Sequence, residues 1–193
     1  MSVKGFSYKR EVLRKIIHFS SSIFAFMLLF FGRDICLPIF IVISALFFIA
    51  DSLRLKNQYV QNIYNIFFNI VTRDFEQKRI TGASYVFLSI VVVTFFFDVR
   101  IAVASLLIMS FSDPIASLVG RAYGKFSIFN KTLEGCISFF LISVIVLVSL
   151  GFSADTVLYV SIFCTLVELL SDKIQVDDNL LVPLSSAVML FIL

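Results

Sequence analysis

The chain has 193 residues, of which 60% are hydrophobic and only 15% are charged, and its formal net charge is +3. Soluble domains carry about 25% charged residues, so this composition excludes an ordinary soluble protein and predicts an all-α, multi-pass membrane protein. No linker rich in proline, glycine or serine divides the chain, which predicts one integral-membrane domain over residues 1–193. We therefore expect its surroundings to be the lipid bilayer and expect no nucleic-acid partner.

Seven apolar runs predict seven transmembrane helices. They lie at about residues 16–31, 35–50, 82–97, 101–119, 133–150, 156–170 and 180–193. Several runs are shorter than the roughly 20 residues that a helix needs to cross a bilayer. Their helices must extend into the polar flanks, or the bilayer must thin around them. Polar residues at the helix ends are therefore expected to line a cavity that reaches into the membrane.

The segment between the second and third runs, residues 55–75, has the pattern of an amphipathic helix. Asparagine and glutamine occupy much of one side, and the apolar positions have helical spacing: Leu55, Tyr59, Ile63, Ile66, Phe67, Ile70 and Val71. Such a helix is typical of the membrane surface. The alternative is a helix packed across the bundle of the chain itself.

The basic residues are distributed unequally between the two predicted faces of the membrane. If the N-terminus is cytoplasmic, all basic residues except Arg33 and Arg100 fall on the cytoplasmic side. Cytoplasmic loops of membrane proteins are enriched in lysine and arginine. The sequence therefore predicts a cytoplasmic N-terminus and a C-terminus on the opposite side.

The first candidate site precedes and enters the first span, in the segment EVLRKIIHF. Glu11, Arg14 or Lys15, and His18 share one face of a helix, because they are spaced by three to four residues. His18 is the one histidine of the sequence. It is either a structural hydrogen-bond donor or a functional group, and its charged neighbours leave both interpretations open.

The second candidate site is residues 112–135, SDPIASLVGRAYGKFSIFNKTLEG, between the fourth and fifth spans. Charged groups this close to hydrocarbon are costly, so they indicate function by default. Glycines allow backbone N–H groups to approach phosphate oxygens, and cations supply countercharge: Gly120, Arg121, Gly124, Lys125 and Lys131. An ordinary basic loop would explain the cations but neither Asp113 nor Glu134, whose carboxylates suit Mg²⁺.

The third candidate site joins the sixth and seventh spans in the segment VELLSDKIQVDDNLLVPL. Glu168 lies near the end of the sixth span, and Asp177 and Asp178 directly precede the seventh. Adjacent carboxylates repel each other unless a cation lies near them, and Mg²⁺ is the natural candidate. The alternative is a solvated acidic turn that caps the last helix.

Together with RDFEQKRITGASY at residues 73–85, these segments resemble the CTP-dependent lipid kinases: dolichol kinase, phytol kinase and the CTP-using diacylglycerol kinase. The resemblance runs in order from about residue 11 to residue 185. The residues that carry it are Arg14, Lys15, His18, Arg73, Glu76, Thr81, Gly82, Asp113, Ala116, Ser117, Gly120, Arg121, Gly124, Lys125, Lys131, Thr132, Glu134, Gly135, Glu168, Asp177, Asp178, Asn179 and Pro183.

This resemblance implies transfer of the γ-phosphate of CTP to the hydroxyl of a membrane lipid alcohol, with a divalent cation. An isoprenoid alcohol such as phytol, geranylgeraniol or a polyprenol is the first expectation, and diacylglycerol is the alternative. The segments GRAYGK and KTLEG also resemble phosphatidate cytidylyltransferases. This chain lacks the long C-terminal signature of those enzymes, which favours the kinases.

The resemblance associates the segment from SDPIAS to KTLEG with CTP binding, and on this basis we assign roles to individual residues at a site that faces the cytoplasm. The expected catalytic residues are His18, Asp113, Glu168, Asp177 and Asp178, with the general base among His18, Asp177 and Asp178. The expected magnesium ligands are Asp113, Glu134 and Asp178. The expected nucleotide contacts are Arg14, Lys15, Ser117, Gly120, Arg121, Gly124, Lys125, Lys131, Thr132, Glu134 and Gly135.

Overall fold

Helices make up nearly all of the computed structural model, which describes residues 8–174 and 176–193, apart from the side chains of Asp74, Phe75 and Asp172. The α-helices are α1 (Tyr8–Ser20), α2 (Ser22–Phe31), α3 (Arg33–Lys56), α4 (Gln58–Phe68), α5 (Gly82–Phe96), α6 (Val99–Leu107), α7 (Asp113–Tyr123), α8 (Leu133–Ser149), α9 (Ala154–Ile174) and α10 (Asp178–Ile192). A 3₁₀-helix covers Asp74–Lys78, and a small antiparallel hairpin pairs β1 (Ser127–Ile128) with β2 (Lys131–Thr132). The prediction of an all-α protein is confirmed, with this hairpin as a minor addition.

Within the described residues, four helical stretches are long and apolar enough to cross a membrane. They are Tyr8–Phe31, Arg33–Lys56, Val99–Tyr123 and Ala154–Ser171. Three shorter apolar helices, α5, α8 and α10, cover the remaining predicted runs. The structure thus supports a membrane protein with at least four such helices, and the count of seven crossings stays a prediction.

The stretch Val99–Tyr123 forms the centre of the bundle. Its apolar window is 72% buried, whereas the windows of the other three long stretches are 22% to 33% buried. Every residue from 101 to 110 is buried, and small residues such as Ala102, Ala104 and Ser105 let the neighbouring helices approach closely. The outer helices expose apolar side chains instead, as helices that face lipid do.

Two breaks in regular helix lie side by side near the site. Helices α1 and α2 are separated at Ser21, and α6 and α7 are joined by a π-helical turn, Ile108–Ser112. The Ser21 hydroxyl donates to the carbonyl of His18 at 2.6 Å and meets the Ser110 hydroxyl at 2.9 Å. Hydroxyl groups of this kind satisfy polar groups where helices are irregular inside a membrane. Such π-turns occur frequently at functional sites, and this one directly precedes Asp113.

The helices alternate in direction, so the bundle has two distinct ends. At one end, Arg33 donates to the carbonyl of Phe97, and Arg100 donates to the carbonyls of Leu150 and Gly151 at 2.9 and 2.7 Å. At the other end lie the first turns of α1, α5, α8 and α10 and the last turns of α3, α7 and α9. We call this second end the polar end, because the ion pairs are concentrated there.

The predicted helix over residues 55–75 is wrong in its bounds. Helix α3 continues to Lys56, the chain turns at Asn57, and α4 runs only from Gln58 to Phe68. Asn57 has an extended backbone, and its side-chain oxygen accepts a hydrogen bond from the Tyr59 N–H at 2.9 Å. Asparagine at such a cap starts a new helix instead of continuing the previous one. The location of α4 at the membrane surface stays a prediction.

Candidate active site

Helices α1 and α7 face each other at the polar end through matched rows of polar side chains. Asp113, Ser117 and Arg121 are spaced by four residues along α7, so they lie on one face. They meet the face of α1 that carries the residues singled out from the sequence: Glu11, Arg14, Lys15 and His18. The two helices thus bring together groups about a hundred residues apart in the chain.

Asp113 is the buried anion of this interface. One of its carboxylate oxygens accepts a hydrogen bond from Lys15 Nζ at 2.6 Å and lies 3.0 Å from His18 Nδ1. Lys15 and Asp113 are 4% and 5% exposed, so the pair is almost removed from solvent. His18 Nε2 is buried without a hydrogen-bond partner among the described residues. His18 therefore contacts the Asp113 carboxylate through Nδ1, and its Nε2 has no hydrogen-bond partner among the described residues.

Glu11 is a functional candidate to which sequence reasoning gave no role. Its side chain is completely buried, and one oxygen accepts hydrogen bonds from Arg14 at 2.7 Å and Arg73 at 3.2 Å. The same oxygen lies 3.4 Å from the Ser117 hydroxyl, and the other lies 3.6 Å from Arg121. Its helical spacing relative to Arg14 and His18 was the available signal. The partners from outside α1 could not be read from spacing.

Lys131 and Glu168 form a second ion pair, in which Glu168 is buried and Lys131 is partly buried. Lys131 lies on β2, and its ammonium donates to the carboxylate and the backbone carbonyl of Glu168, both at 2.5 Å. The Ser171 hydroxyl is 3.3 Å away. Burial alone would lower the pKa of Lys131, but the carboxylates of Glu168 and Asp178 outweigh it and raise that pKa. Lys131 therefore stays charged and joins the hairpin to the end of α9.

The loop before α5 meets the start of α10. Glu76 accepts hydrogen bonds from the backbone N–H groups of Arg73 at 2.7 Å and Gly82 at 3.0 Å. A Cβ at Gly82 would lie 3.1 Å from the Asn179 amide nitrogen, so a larger residue there would require the Asn179 side chain to move. Pro183 is buried inside α10, about one helical turn after Asn179.

Asp177 caps α10. Its carboxylate accepts hydrogen bonds from the Asn179 backbone at 3.0 Å and from the Asn179 side chain at 2.7 Å. Burial and the adjacent negative charge of Asp178 raise the pKa of Asp177 to about 6. This carboxyl therefore changes protonation close to neutral pH, as a general base must.

A buried pair that sequence reasoning missed supports the same loop. Asp51 of α3 accepts hydrogen bonds from the backbone and hydroxyl of Thr81 at 2.8 and 2.9 Å and from Ser84 at 2.6 Å. Arg54, bonded to Asp51 at 2.6 Å, donates to the carbonyls of Glu76 at 3.0 Å and Arg79 at 2.6 Å. The sequence signal that could have identified this pair is the spacing of Asp51 and Arg54, an acidic and a basic residue three positions apart at the end of an apolar run.

The glycines predicted to approach phosphate lie where α7 and α8 pack. A Cβ at Gly120 would lie 2.7 Å from the Thr132 hydroxyl, and a Cβ at Gly124 would lie 2.6 Å from the Thr132 methyl group. A Cβ at Gly135 would meet the backbone of Ala116 at 3.0 Å. Thr132 also caps α8 through Gly135 N–H at 3.2 Å. These contacts give the glycines a packing reason, and the nucleotide role of the segment stays a prediction.

Lys125 and Glu134 line a shallow pocket beside this packing. The Lys125 backbone N–H donates to one Glu134 oxygen at 2.9 Å, and the other oxygen is buried without a hydrogen-bond partner in the described part of the chain. Ala122, Tyr123 and Gly124 complete the lining. The exposed ammonium of Lys125 is thus available to an anion, and Glu134 has an oxygen free for a cation.

The predicted magnesium ligands do not form one preformed cluster. Among residues 8–174 and 176–193, no group of three or more histidine, cysteine, aspartate or glutamate side chains could hold a metal. An oxygen of Asp113 is already bound by Lys15 and His18, whereas Glu134 has a free buried oxygen. Mg²⁺ commonly takes one or two carboxylates and completes its shell with water and substrate phosphates. The unpartnered oxygen of Glu134 is compatible with that more limited role, and the magnesium site stays a prediction.

Comparison with known proteins supplies the family. The chain is 30% identical to an uncharacterised protein of Rickettsia prowazekii, over 96% of this chain and 94% of that protein. It is 29% identical to CTP-dependent diacylglycerol kinase 1 of Schizosaccharomyces pombe, over 72% of this chain and 66% of that kinase. It is 32% identical to a probable chloroplastic phytol kinase of Triticum aestivum, over 64% of this chain and 48% of that protein.

No protein-family model matches the chain, and no solved structure matches it significantly. The chain spans about half to two thirds of the length of these kinase relatives, and nearly all of the rickettsial protein. The resemblance inferred from the motifs is confirmed: the chain belongs to the CTP-dependent lipid kinase family.

Proposed function

We propose that this protein transfers the γ-phosphate of CTP to the hydroxyl group of a membrane lipid alcohol. The observation that carries the proposal is the gathering of the family-motif residues at one end of an apolar bundle. Buried Lys15 and partly buried Lys131 lie there beside the buried carboxylates of Asp113 and Glu168. The names of the kinase relatives support both the nucleotide and the class of acceptor.

The proposed chemistry needs positioning and charge neutralisation more than covalent assistance. A phosphoryl group in transfer spreads negative charge over its oxygens, and cations must face it. We assign this role to Lys125 and Arg121, which are exposed. Partly buried Lys131 and buried Lys15 share it. Asp113 acts in the proposal by fixing Lys15 and His18 in place.

The proposed general base is Asp177, whose raised pKa near 6 matches a proton acceptor at neutral pH. His18 is the second candidate, because its Nε2 is buried without a partner among the described residues. Magnesium held by Glu134, Asp178 and the nucleotide phosphates would neutralise phosphate charge.

The proposed acceptor reaches the polar end sideways from the bilayer. A long apolar tail cannot leave hydrocarbon cheaply, whereas the hydroxyl must meet a water-soluble nucleotide. Isoprenoid alcohols are our first expectation from the motifs. Diacylglycerol is the second candidate. The alignment with the diacylglycerol kinase covers a larger share of this chain and of the relative than the alignment with the phytol kinase does.

The test is transfer of labelled phosphate from γ-labelled CTP to a panel of lipid alcohols in detergent with Mg²⁺. The panel contains phytol, geranylgeraniol, a polyprenol and diacylglycerol, and ATP replaces CTP in the control. A labelled lipid phosphate formed from CTP supports the proposal and identifies the alcohol. Release of pyrophosphate with formation of a CDP-lipid would instead favour a cytidylyltransferase. Absence of both products with a folded protein would reject the proposal.

A further inference from the structure

The loop between α4 and α5, residues 69–81, reaches the candidate site through the residue that follows it. Gly82 donates its backbone N–H to the buried Glu76 carboxylate at 3.0 Å. The Asn179 amide packs against Gly82, since a Cβ added there would lie 3.1 Å from the amide nitrogen. That nitrogen donates to Asp177, the proposed general base, at 2.7 Å. The position of the loop therefore affects the position of the Asn179 amide and, through it, of Asp177.

Arg54 of α3 holds the backbone of this loop. Its guanidinium group donates to the carbonyls of Glu76 at 3.0 Å and Arg79 at 2.6 Å. The side chain is almost completely buried, and its guanidinium carbon lies 4.8 Å from the centre of the Tyr64 ring. Arginine carries five N–H donors in a fixed fork, so one side chain can bind several carbonyls at once. Arg54 thus satisfies loop carbonyls that a buried apolar side chain would leave without a donor.

Asp51 holds the other end of the loop and pairs with Arg54. Its carboxylate accepts a hydrogen bond from Arg54 Nε at 2.6 Å. It also accepts hydrogen bonds from the backbone and hydroxyl of Thr81, at 2.8 and 2.9 Å, and from the Ser84 hydroxyl at 2.6 Å. Asp51, Thr81 and Ser84 are all buried. The carboxylate therefore fixes the residue that directly precedes Gly82.

The ion pair of Asp51 and Arg54 is explained better by position than by stability. A buried ion pair gains little net stability, and apolar side chains of similar volume are often equally stabilising. Apolar side chains could neither donate to the loop carbonyls nor accept from the Thr81 N–H. The charged pair thus fixes the place of a loop backbone, which apolar packing does not do.

We propose that Asp51 and Arg54 are positioning residues of the kinase site. They hold the loop of residues 69–81 in place, so that Gly82 fixes the Asn179 amide against Asp177. The proposal rests on the proposed kinase function for the reaction that is affected. The hold on the loop and on Asn179 can be measured without turnover.

The first test is Arg54→Lys, which keeps a positive charge beside Asp51 but loses the fork of donors. Because a misplacement of about 1 Å can cost about a hundredfold in rate, kcat for transfer from CTP should fall at least about tenfold. The KM for CTP should change much less, since the nucleotide contacts are assigned to other elements. Rates are measured well below the Tm of each variant, so that unfolding does not contribute.

The matched control is Arg100→Lys at the opposite end of the bundle. Arg100 also donates to two carbonyls, those of Leu150 and Gly151, at 2.9 and 2.7 Å. Its guanidinium carbon also lies over an aromatic ring, 4.4 Å from the centre of Phe152. The same substitution there should lower the Tm and leave kcat unchanged. An equal fall of kcat in both variants would mean a general loss of structure and would overturn the positioning role.

A pair of substitutions at Thr81 tests the other end of the loop. Thr81→Val keeps the shape of the side chain but removes the hydroxyl that donates to Asp51, whereas Thr81→Ser keeps that hydroxyl. Transfer should therefore fall severalfold in Thr81→Val and return close to the wild-type rate in Thr81→Ser. Equal rates in the two variants would contradict the proposal. If Arg54→Lys does not fold, this pair decides it.

Amide hydrogen exchange in the absence of nucleotide measures the hold directly. In Arg54→Lys, the backbone N–H groups of Thr81, Gly82 and Asn179 should exchange faster than in the wild type, because the loop opens more often. Exchange in the buried helix α6 should not change. Wild-type exchange at all three residues would overturn the proposal, whatever the kinetics.

The outcome is separable from that of the kinase proposal. Faster exchange at these three residues, in a protein that transfers no phosphate from CTP, upholds the hold on Asn179 and rejects the kinase. Transfer by the wild type, with unchanged kcat in Arg54→Lys and Thr81→Val, rejects the positioning role alone.

Discussion

Individual buried charges at the polar end are stabilised only by their partners, and Asp113 is the clearest case. Its carboxylate faces Lys15 and His18 in a site that is nearly closed to solvent. Removing one member of a buried ion pair typically costs about 3 to 5 kcal/mol, because the other charge is left uncompensated. A substitution here therefore tests folding and activity together, and the two must be measured separately.

Asp113→Asn should lower phosphate transfer from CTP by at least about a hundredfold, as removal of a preorganised electrostatic partner does. It should also lower the Tm, because Lys15 keeps a buried charge. The double variant Asp113→Asn with Lys15→Met should recover thermal stability but not transfer. Recovery of transfer in the double variant would show that neither group takes part in the reaction. The measurements are the labelled-CTP assay and thermal unfolding in detergent.

Asp177 should make stability depend on pH. Its pKa is raised from about 3.8 to about 6 in the folded protein, so between these values the folded state binds more protons than the unfolded state. Stability should therefore fall as the pH rises from about 4 to about 6 and stay lower above that window. Asp177→Asn keeps the oxygen that caps α10 but removes this contribution.

The Asp177→Asn protein should thus have a higher Tm than the wild type at pH 7, and the difference should shrink toward pH 4. Thermal unfolding of both proteins across this range measures it. A difference in Tm that does not change with pH would contradict the assignment. If Asp177 is also the general base, the variant loses transfer at every pH, which the labelled-CTP assay reports.

For individual residues, the sequence indicated which side chains belong to the candidate site better than it indicated which side chains contact each other. His18, Asp113, Lys131 and Glu168 could be selected because charge near hydrocarbon is costly. Their pairing, Lys15 and His18 with Asp113 and Lys131 with Glu168, depends on which helices are neighbours. Spacing along one helix carries no such information. Asp51 and Arg54 were missed for the same reason, since their partners lie in a loop more than 20 residues away.

Among the elements, the contact between α7 and α8 depends on small residues. Gly120→Ala would place a Cβ 2.7 Å from the Thr132 hydroxyl, closer than ordinary contact. Overpacking of this kind typically costs about 1 to 3 kcal/mol. Thr132→Ala removes the clash but also the cap of α8, at a cost of about 1 kcal/mol. The two changes should therefore not be additive.

A double-mutant cycle measured by thermal unfolding tests this contact. Gly120→Ala should lower the Tm clearly in the wild type and much less in the Thr132→Ala background. Equal effects in both backgrounds would mean that Gly120 does not pack on Thr132. The cycle also separates packing from nucleotide binding, because no nucleotide is present in the measurement.

Element types were predictable and element breaks were not. Apolar runs indicate helices wherever they occur, so each predicted run lies largely within a helix of the structure. Where a helix breaks depends instead on contacts with other segments of the chain. The examples are the break at Ser21, the π-turn at Ile108–Ser112 and the early end of α4 at Phe68. Hydroxyl groups on adjacent helices, such as Ser21 and Ser110, satisfy polar groups there, and a single segment does not reveal such a partner.

For the whole molecule, if the seven predicted spans alternate across the membrane, the polar end lies on one side of it. Helices α5, α8 and α10 have 15, 17 and 15 residues. At about 1.5 Å per residue they measure about 22 to 26 Å, less than the ~30 Å hydrocarbon core. They can cross only where the bilayer thins or their polar flanks enter it. Polar flanks that enter the membrane would bring charged residues with them, which agrees with the buried charges at the polar end.

The predicted topology places the polar end in the cytoplasm, and cysteine labelling tests it. The three native cysteines are buried and should react slowly, so new exposed cysteines stand out. Asn130→Cys lies on the hairpin at the polar end, and Asp155→Cys lies in the first turn of α9 at the other end; both positions are exposed. In intact cells, a maleimide that cannot cross membranes should label Asp155→Cys and should label Asn130→Cys only after permeabilisation. The reverse pattern would invert the topology and place the polar end away from cytoplasmic CTP. Labelling of both positions in intact cells would mean that the chain between them does not cross the membrane an odd number of times, which would reject the seven-span arrangement itself.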